Sequence, residues 1–216
     1  MEILVIGANG AVGRKVIAQL KETGHHSIAL VRKEEQVSDL REIGADRVMV
    51  GDLEEDFSDA FKDAEGVIFA AGSGGSTGAD KTMMVDLWGA KKAVDYANKY
   101  HIKRFVQLSA TDSLHPEEES EVMKPYAVAK HFSDLYIEDS GLNYTIVHPG
   151  PLQDDEGTGK IEVSTELEDD PSSYKIPRED VATVLVNALE TEEVEHKHIF
   201  IQSGETPVLE ALTGAK

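Results

Sequence analysis

Ile3-Leu4-Val5-Ile6-Gly7-Ala8-Asn9-Gly10-Ala11-Val12-Gly13 is the stretch on which the reading of this chain turns. The apolar run up to Ile6 has the length and composition of a strand buried on both faces. Three glycines then recur at intervals of three. A helical pattern follows, with Val12, Val16, Ile17 and Leu20 on one face and Gly24 at its end. Each glycine has a steric role. Gly7 permits the tight turn, Gly10 lets backbone approach a pyrophosphate, and Gly13 lets helix pack close to strand. The first helical N–H groups and the positive end of the helix dipole then face the anion. Glycines at this spacing are weak evidence alone, but strand, turn and helix in that order make the signal specific. The segment predicts a dinucleotide-binding turn to which Gly7, Asn9, Gly10, Ala11, Val12 and Gly13 contribute; a purely structural turn is the alternative.

Strands and helices alternate beyond it. Residues 27–31, 47–50, 66–70, 104–108 and 144–148 read as strands, and 34–43, 80–99 and 124–140 as helices. This order predicts right-handed βαβ units and a doubly wound parallel sheet of Rossmann type. After Pro149 the pattern loosens, with a short strand at 161–163, a helix over 177–189 and a last strand at 197–201. The 216 residues suit one α/β domain, with a core over about 1–150 and a small substrate-facing cap over about 151–216. Glu117-Glu118-Glu119 and Glu166 to Asp170 read as solvated, mobile acidic loops.

Composition narrows the partners. The net charge of −20 opposes nucleic-acid phosphate and anionic lipid, so neither is an expected partner. No apolar run approaches the roughly 20 residues of a membrane helix. The apolar run at the N-terminus is too short for a secretory signal, which points to the cytoplasm. With no cysteine there is no disulfide, thiolate metal site or cysteine nucleophile. His196 and His198 alternate along one strand without an evident third ligand, so a surface pair is expected and no metal.

An anionic cofactor on so acidic a chain needs local cations. Where a second strand would carry Asp or Glu for a ribose, this chain has Val31-Arg32-Lys33. Arg32 can pair with a 2′-phosphate in bidentate fashion, and Arg14 can reach the same group, so NADP(H) is the expected cofactor. Asp52, followed by Leu53, is placed to accept from the adenine amino group.

The segments GANGAVG (7–13), LVRKEEQ (30–36), GDL (51–53), FAAGSGGSTGADKT (69–82), VDLWGA (85–90), RFVQLSA (104–110), KPYAVAK (124–130) and GLNYTIVHPGPL (141–152) resemble the atypical short-chain dehydrogenase/reductase family, closest to its small NmrA-like bacterial members. The resemblance covers nearly the whole chain. It implies a Rossmann core with NADP(H) and a shallow substrate site at the carboxyl ends of the strands. Tyr126 and Lys130 form the YxxxK pattern. In the family the lysine holds the nicotinamide ribose and lowers the tyrosine pKa, and the tyrosine acts as general acid or base. The third member is open among Ser109, Thr111 and Ser113. Ser109, followed by Ala110, is preferred because strand-end hydroxyls point at the cofactor. Ala70, Ala71, Gly72 and Ser73 correspond to the stretch beside the cofactor ribose. Lys81 and Asp86 are expected to line the site, with Lys81 either binding phosphate or substrate or merely opening a helix. His148, Pro149, Gly150 and Leu152 resemble the loop beside the nicotinamide carboxamide. Trp88 reads as packing, while Met83, Met84, Leu87 and Ala90 suit either a partner subunit or the protein's own core; the oligomeric state is open.

Three functions follow. The first is an NADP(H)-dependent oxidoreductase acting on a small carbonyl, quinone or similar acceptor. The second is a non-enzymatic NADP(H)-binding redox sensor, disfavoured by the presence of Tyr126 and Lys130. The third is a nucleotide-sugar epimerase or dehydratase, disfavoured by the short acidic tail.

Overall fold

The computed structural model describes residues 1–75, 77–167 and 174–215. Strand β1 (Glu2–Ile6) lies inside the sheet, paired in parallel with β2 (His26–Val31) and β4 (Gly66–Phe69). Beyond β2 lies β3 (Arg47–Val50); beyond β4 lie β5 (Arg104–Leu108) and β6 (Tyr144–Pro149), all parallel. Reading β3-β2-β1-β4-β5-β6 across the sheet gives the doubly wound order, which reverses direction between β1 and β4. A crevice opens at that reversal, outside the carboxyl ends of the strands, and the glycine turn after β1 sits in it.

Helices cover both faces. On one face α1 (Ala11–Glu22) buries Val12, Val16, Ile17 and Leu20 against Ile3, Val5 and Ala29. Helix α2 (Val37–Ile43) adds Leu40 to the same layer. On the other face, 79–99 is helical throughout. It begins with α3 (Ala79–Lys81), widens into a π-helical segment (Thr82–Gly89) and ends with α4 (Ala90–Lys99). Helix α5 (Lys124–Glu138) packs against the π segment.

Three strands of the tail extend the sheet. Strand β10 (Lys197–Ser203) joins β6 in parallel, β8 (Lys160–Ser164) pairs antiparallel with β10, and β11 (Thr206–Pro207) closes that edge. Helix α6 (Arg178–Asn187) lies on α1, followed by α7 (Val208–Thr213). A two-stranded pair, β7 (Leu152–Gln153) and β9 (Ile176–Pro177), holds the chain between them. The chain is thus one α/β unit with a nine-stranded sheet that is parallel except at one edge. Glu118 is exposed within a 3-10 turn, while residues 168–170 of the second acidic run fall outside the described residues. No helix among the described residues is long and apolar enough to cross a membrane.

Candidate cofactor and active site

The turn after β1 is built by contacts that exclude side chains. Gly7 sits at φ +88°, and a Cβ on it would come within 2.6 Å of the Ala71 backbone. A Cβ on Gly13 would lie 2.2 Å from the Gly7 carbonyl oxygen, so only glycine lets α1 start this close to β1. The first intrahelical bond runs from Arg14 N–H to Gly10 O at 2.9 Å, leaving the amides of Ala11, Val12 and Gly13 without intrahelical acceptors. No side chain caps this helix start and its first turn carries no acid. In a chain of net charge −20, an uncapped and acid-free helix N-terminus fits a bound phosphate anion.

A cleft of about 340 Å³ runs from this turn. Gly7, Asn9, Gly10, Arg32, Asp52, Leu53, Ala71, Gly72, Ser73 and Lys81 all line it. Arg14 does not; its Nη1 donates to Asn9 Oδ1 at 2.8 Å and braces the turn instead. Lys33 also turns away, to Glu35 at 3.3 Å on the surface. Lys81 stands at the rim in an ion pair with Glu54 at 2.6 Å, which raises its pKa. Among the cations expected here, Arg32 is therefore the one presented to the cleft without a carboxylate from the described residues against it. Gln36, which the sequence reading missed, fixes it there. Its Oε1 accepts the Arg32 and Lys33 amides, both at 3.1 Å. The available signal was a glutamine three residues into a turn, the position from which side chains reach back to a preceding N–H.

A second cavity of about 500 Å³ adjoins the cleft and shares Ala71, Gly72, Ser73 and Thr77 with it. Tyr126 and Lys130 open into it from α5, Asp86 and Thr82 from the π segment, and Ala70 and Leu108 from the strand ends. Val122 and Met123, from the 112–123 segment, form its exposed apolar edge. Asp86 is 1% exposed and its Oδ2 accepts the Ser73 amide at 2.9 Å, which ties the π segment to the loop after β4. Lys130 is buried and donates from Nζ to Leu108 O at 2.6 Å.

Electrostatics here departs from the family expectation of a lowered tyrosine. Burial pushes the Tyr126 phenol up, and the carboxylates of Asp86, Asp112 and Asp134 add to the rise. Burial also lowers Lys130, against the opposing pull of Asp134 and Asp86. The resulting group is a neutral phenol that can give a proton to an oxygen placed beside it.

Several expected residues face elsewhere. Ser109 was expected to point at the cofactor; its Oγ instead donates to buried Asp134 Oδ2 at 2.5 Å, beneath α5. Ser113 joins it, donating to the same oxygen at 3.0 Å. His148 is fully buried, with Nδ1 3.0 Å from Ala110 O and Nε2 2.8 Å from His198 Nδ1. Neither His148 nor Pro149, Gly150 or Leu152 lines the two cavities, and Leu152 packs on the α1 face of the core. The expectation of a surface histidine pair is also corrected. His198 stacks on His148 at 5.0 Å and its Nε2 abuts Glu138 Oε1. No trio of potential ligands among the described residues is arranged to hold a metal. Trp88 is 49% exposed beneath the Lys91 ammonium, and Met83 and Met84 also face outward, while Ala90 is in the core.

A glycine turn at a sheet reversal, an uncapped helix start and a Tyr–Lys pair in the adjoining cavity define an NAD(P)-binding Rossmann protein of oxidoreductase type. More particularly, the chain belongs to the NAD(P)H-binding family, whose model matches residues 7–192. It is 42% identical to a Bacillus subtilis protein named "Uncharacterized sugar epimerase YhfK", over 98% of this chain and 99% of the relative. Among solved structures it resembles a "Putative NAD-dependent epimerase/dehydratase" from Bacillus halodurans, with TM-score 0.94, 43% identity and 98% of each chain covered. It also resembles the oxidoreductase ylbE from Lactococcus lactis, with TM-score 0.83, 31% identity, and 98% and 95% covered.

Proposed function

We propose that this protein is an NADP(H)-dependent oxidoreductase that reduces an uncharged carbonyl, quinone or similar small acceptor. The observation that carries this reading is that the cavity lined by Tyr126 and the cleft lined by the glycine turn share Ala71, Gly72, Ser73 and Thr77. When bound, NADP(H) supplies a hydride from the nicotinamide ring. Arg32 is the residue we assign to the 2′-phosphate, through a charge-assisted bidentate pair. The helix start at Ala11, Val12 and Gly13 takes the pyrophosphate. Lys130 holds the nicotinamide ribose, and Tyr126 gives its phenolic proton to the acceptor oxygen. The oxygen gains one proton from the protein for each hydride received at carbon, so charge and atoms balance.

The lining also bears on the acceptor's charge. Among the described residues Lys130 is the one cation lining the inner cavity, and its ammonium already serves Leu108 O. A nucleotide-sugar brings a pyrophosphate that needs partners, so the name of the Bacillus subtilis relative is not the reading we favour. The charge of −20 supports a small-molecule partner rather than nucleic acid or an anionic membrane. A redox sensor would need only the cofactor cleft and no hydroxyl beside it.

The test is NADPH oxidation over a panel of aldehydes, ketones and quinones. Turnover that falls sharply in Tyr126→Phe supports the reading. Turnover that is unchanged in that variant removes Tyr126 as the proton donor.

A further inference from the structure

One buried polar cluster is left unused by this reading. Helix α5 carries Tyr126, Lys130, Asp134 and Glu138 four residues apart, which places them in a stripe along one face. Tyr126 and Lys130 line the inner cavity, whereas Asp134 lies one turn deeper and is buried. Its Oδ2 accepts the hydroxyls of Ser109 and Ser113, and its Oδ1 accepts Gln107 Nε2 at 3.3 Å. These contacts fix the carboxyl in place. A buried carboxylate with no cation nearby would be costly, and so would a buried ammonium with no anion.

Lys130 is that ammonium. Burial drives it toward the neutral amine, and Asp134 opposes this most, followed by Asp86. Other groups face the pair from the surrounding elements. Tyr126 lies on the same helix, Asp112 comes from the turn after β5, and His148 comes from β6. Burial pushes His148 down to about 4, so it carries no charge near neutrality. Asp86 has a separate task, since it also holds the Ser73 amide on the cofactor side. Among the described residues the hydrogen bonds to Asp134 come from β5 and the turn that follows it.

We propose that Asp134 is a positioning residue that supplies the counter-charge keeping Lys130 protonated beneath Tyr126, with Ser109 and Ser113 holding that carboxylate in place. The proposal rests on the reading of Tyr126 and Lys130 as the reacting pair. It gives Ser109 a role at one remove from the cofactor, through the charge it orients.

The test uses the full chain without cofactor, labelled with 13C-lysine, so it does not depend on turnover. The Lys130 Cε resonance, assigned with Lys130→Arg, is followed through a pH titration. Asp134→Asn is expected to lower its midpoint by about one unit or more, the shift that loss of a nearby opposite charge produces. Asp134→Glu, which keeps the charge, restores most of it. Ser109→Ala lowers it in the same direction by less, and decides the matter alone if Asp134→Asn does not fold. The alkaline limb of the pH profile of kcat/KM should move with the Lys130 midpoint. A midpoint that is the same in wild type and in these variants overturns the proposal. If wild type oxidises no NADPH with any acceptor, the oxidoreductase reading fails, while the titration still reports on Asp134.

Discussion

Gly7 and Ala71 meet at the reversal of the sheet, where a Cβ on the glycine would stand 2.6 Å from the alanine Cα and N. The contact joins the cofactor turn of β1 to the loop after β4, which forms the shared wall of both cavities. Gly7→Ala would have to hold φ +88° and also displace that loop. The expected cost is at least about 2 kcal/mol of stability, from backbone strain and overlap together. Urea unfolding measures it, and NADPH affinity should fall in parallel. A variant as stable as wild type would mean that the turn relaxes freely.

Arg32 lines the cleft, and among the described residues no carboxylate side chain pairs with it. Arg32→Asp should weaken NADPH binding by at least an order of magnitude, as loss of charge-assisted bonds implies, and leave NADH binding much less affected. Fluorescence titration of both cofactors checks this. Equal wild-type affinities for the two would remove Arg32 from the 2′-phosphate.

The acceptor's charge should matter. A sulfonated quinone should show kcat/KM at least about tenfold below its neutral parent, because among the described residues the inner cavity offers an anion only the occupied Lys130 ammonium. Preference for the sulfonate would point to a cation source outside that lining.

Stability should fall in mild acid. His148 is neutral and fully buried, and its pKa is pushed from 6.5 to about 4, mainly by burial. Between those values the unfolded chain holds more protons than the folded one, so stability declines as pH drops from 6.5 through 4. The loss attributable to this group is about 3 kcal/mol at most, at about 1.4 kcal/mol per unit. His25 is lowered in the same direction. Unfolding free energies across this range should slope less steeply in His148→Asn than in wild type; identical slopes would show that His148 contributes nothing to the acid response.

Much of this was legible in the chain. Each central strand is a short apolar run, and the helices between them show the 3.6-residue period, so the doubly wound order follows from local signals. The edge was harder. The direction of β8 is set by its pairing with β10 across about forty residues, which no local pattern encodes. The π widening over 82–89 was invisible to a periodicity that shows only a continuous helix. The orientation of Ser109 was available but not used. Side chains on a strand alternate, Phe105 and Gln107 face α5, and Ser109 must therefore share their face. The same counting puts His148 with Ile146 beneath α5 and away from the cofactor. Asp134 could have been found as the next member of the stripe through Tyr126 and Lys130.

The most direct test of the central claim is a single turnover with NADPH deuterated at the transferable C4 position and an aldehyde or ketone acceptor, followed by analysis of the product. The account predicts deuterium on the reduced carbon of the product with wild type. In Tyr126→Phe the transfer should be slower by about 100-fold or more, the scale of a lost general acid, with NADPH affinity unchanged. Tight NADPH binding with no label transferred to any aldehyde or ketone and no quinone reduced, or transfer at the wild-type rate in Tyr126→Phe, would contradict it.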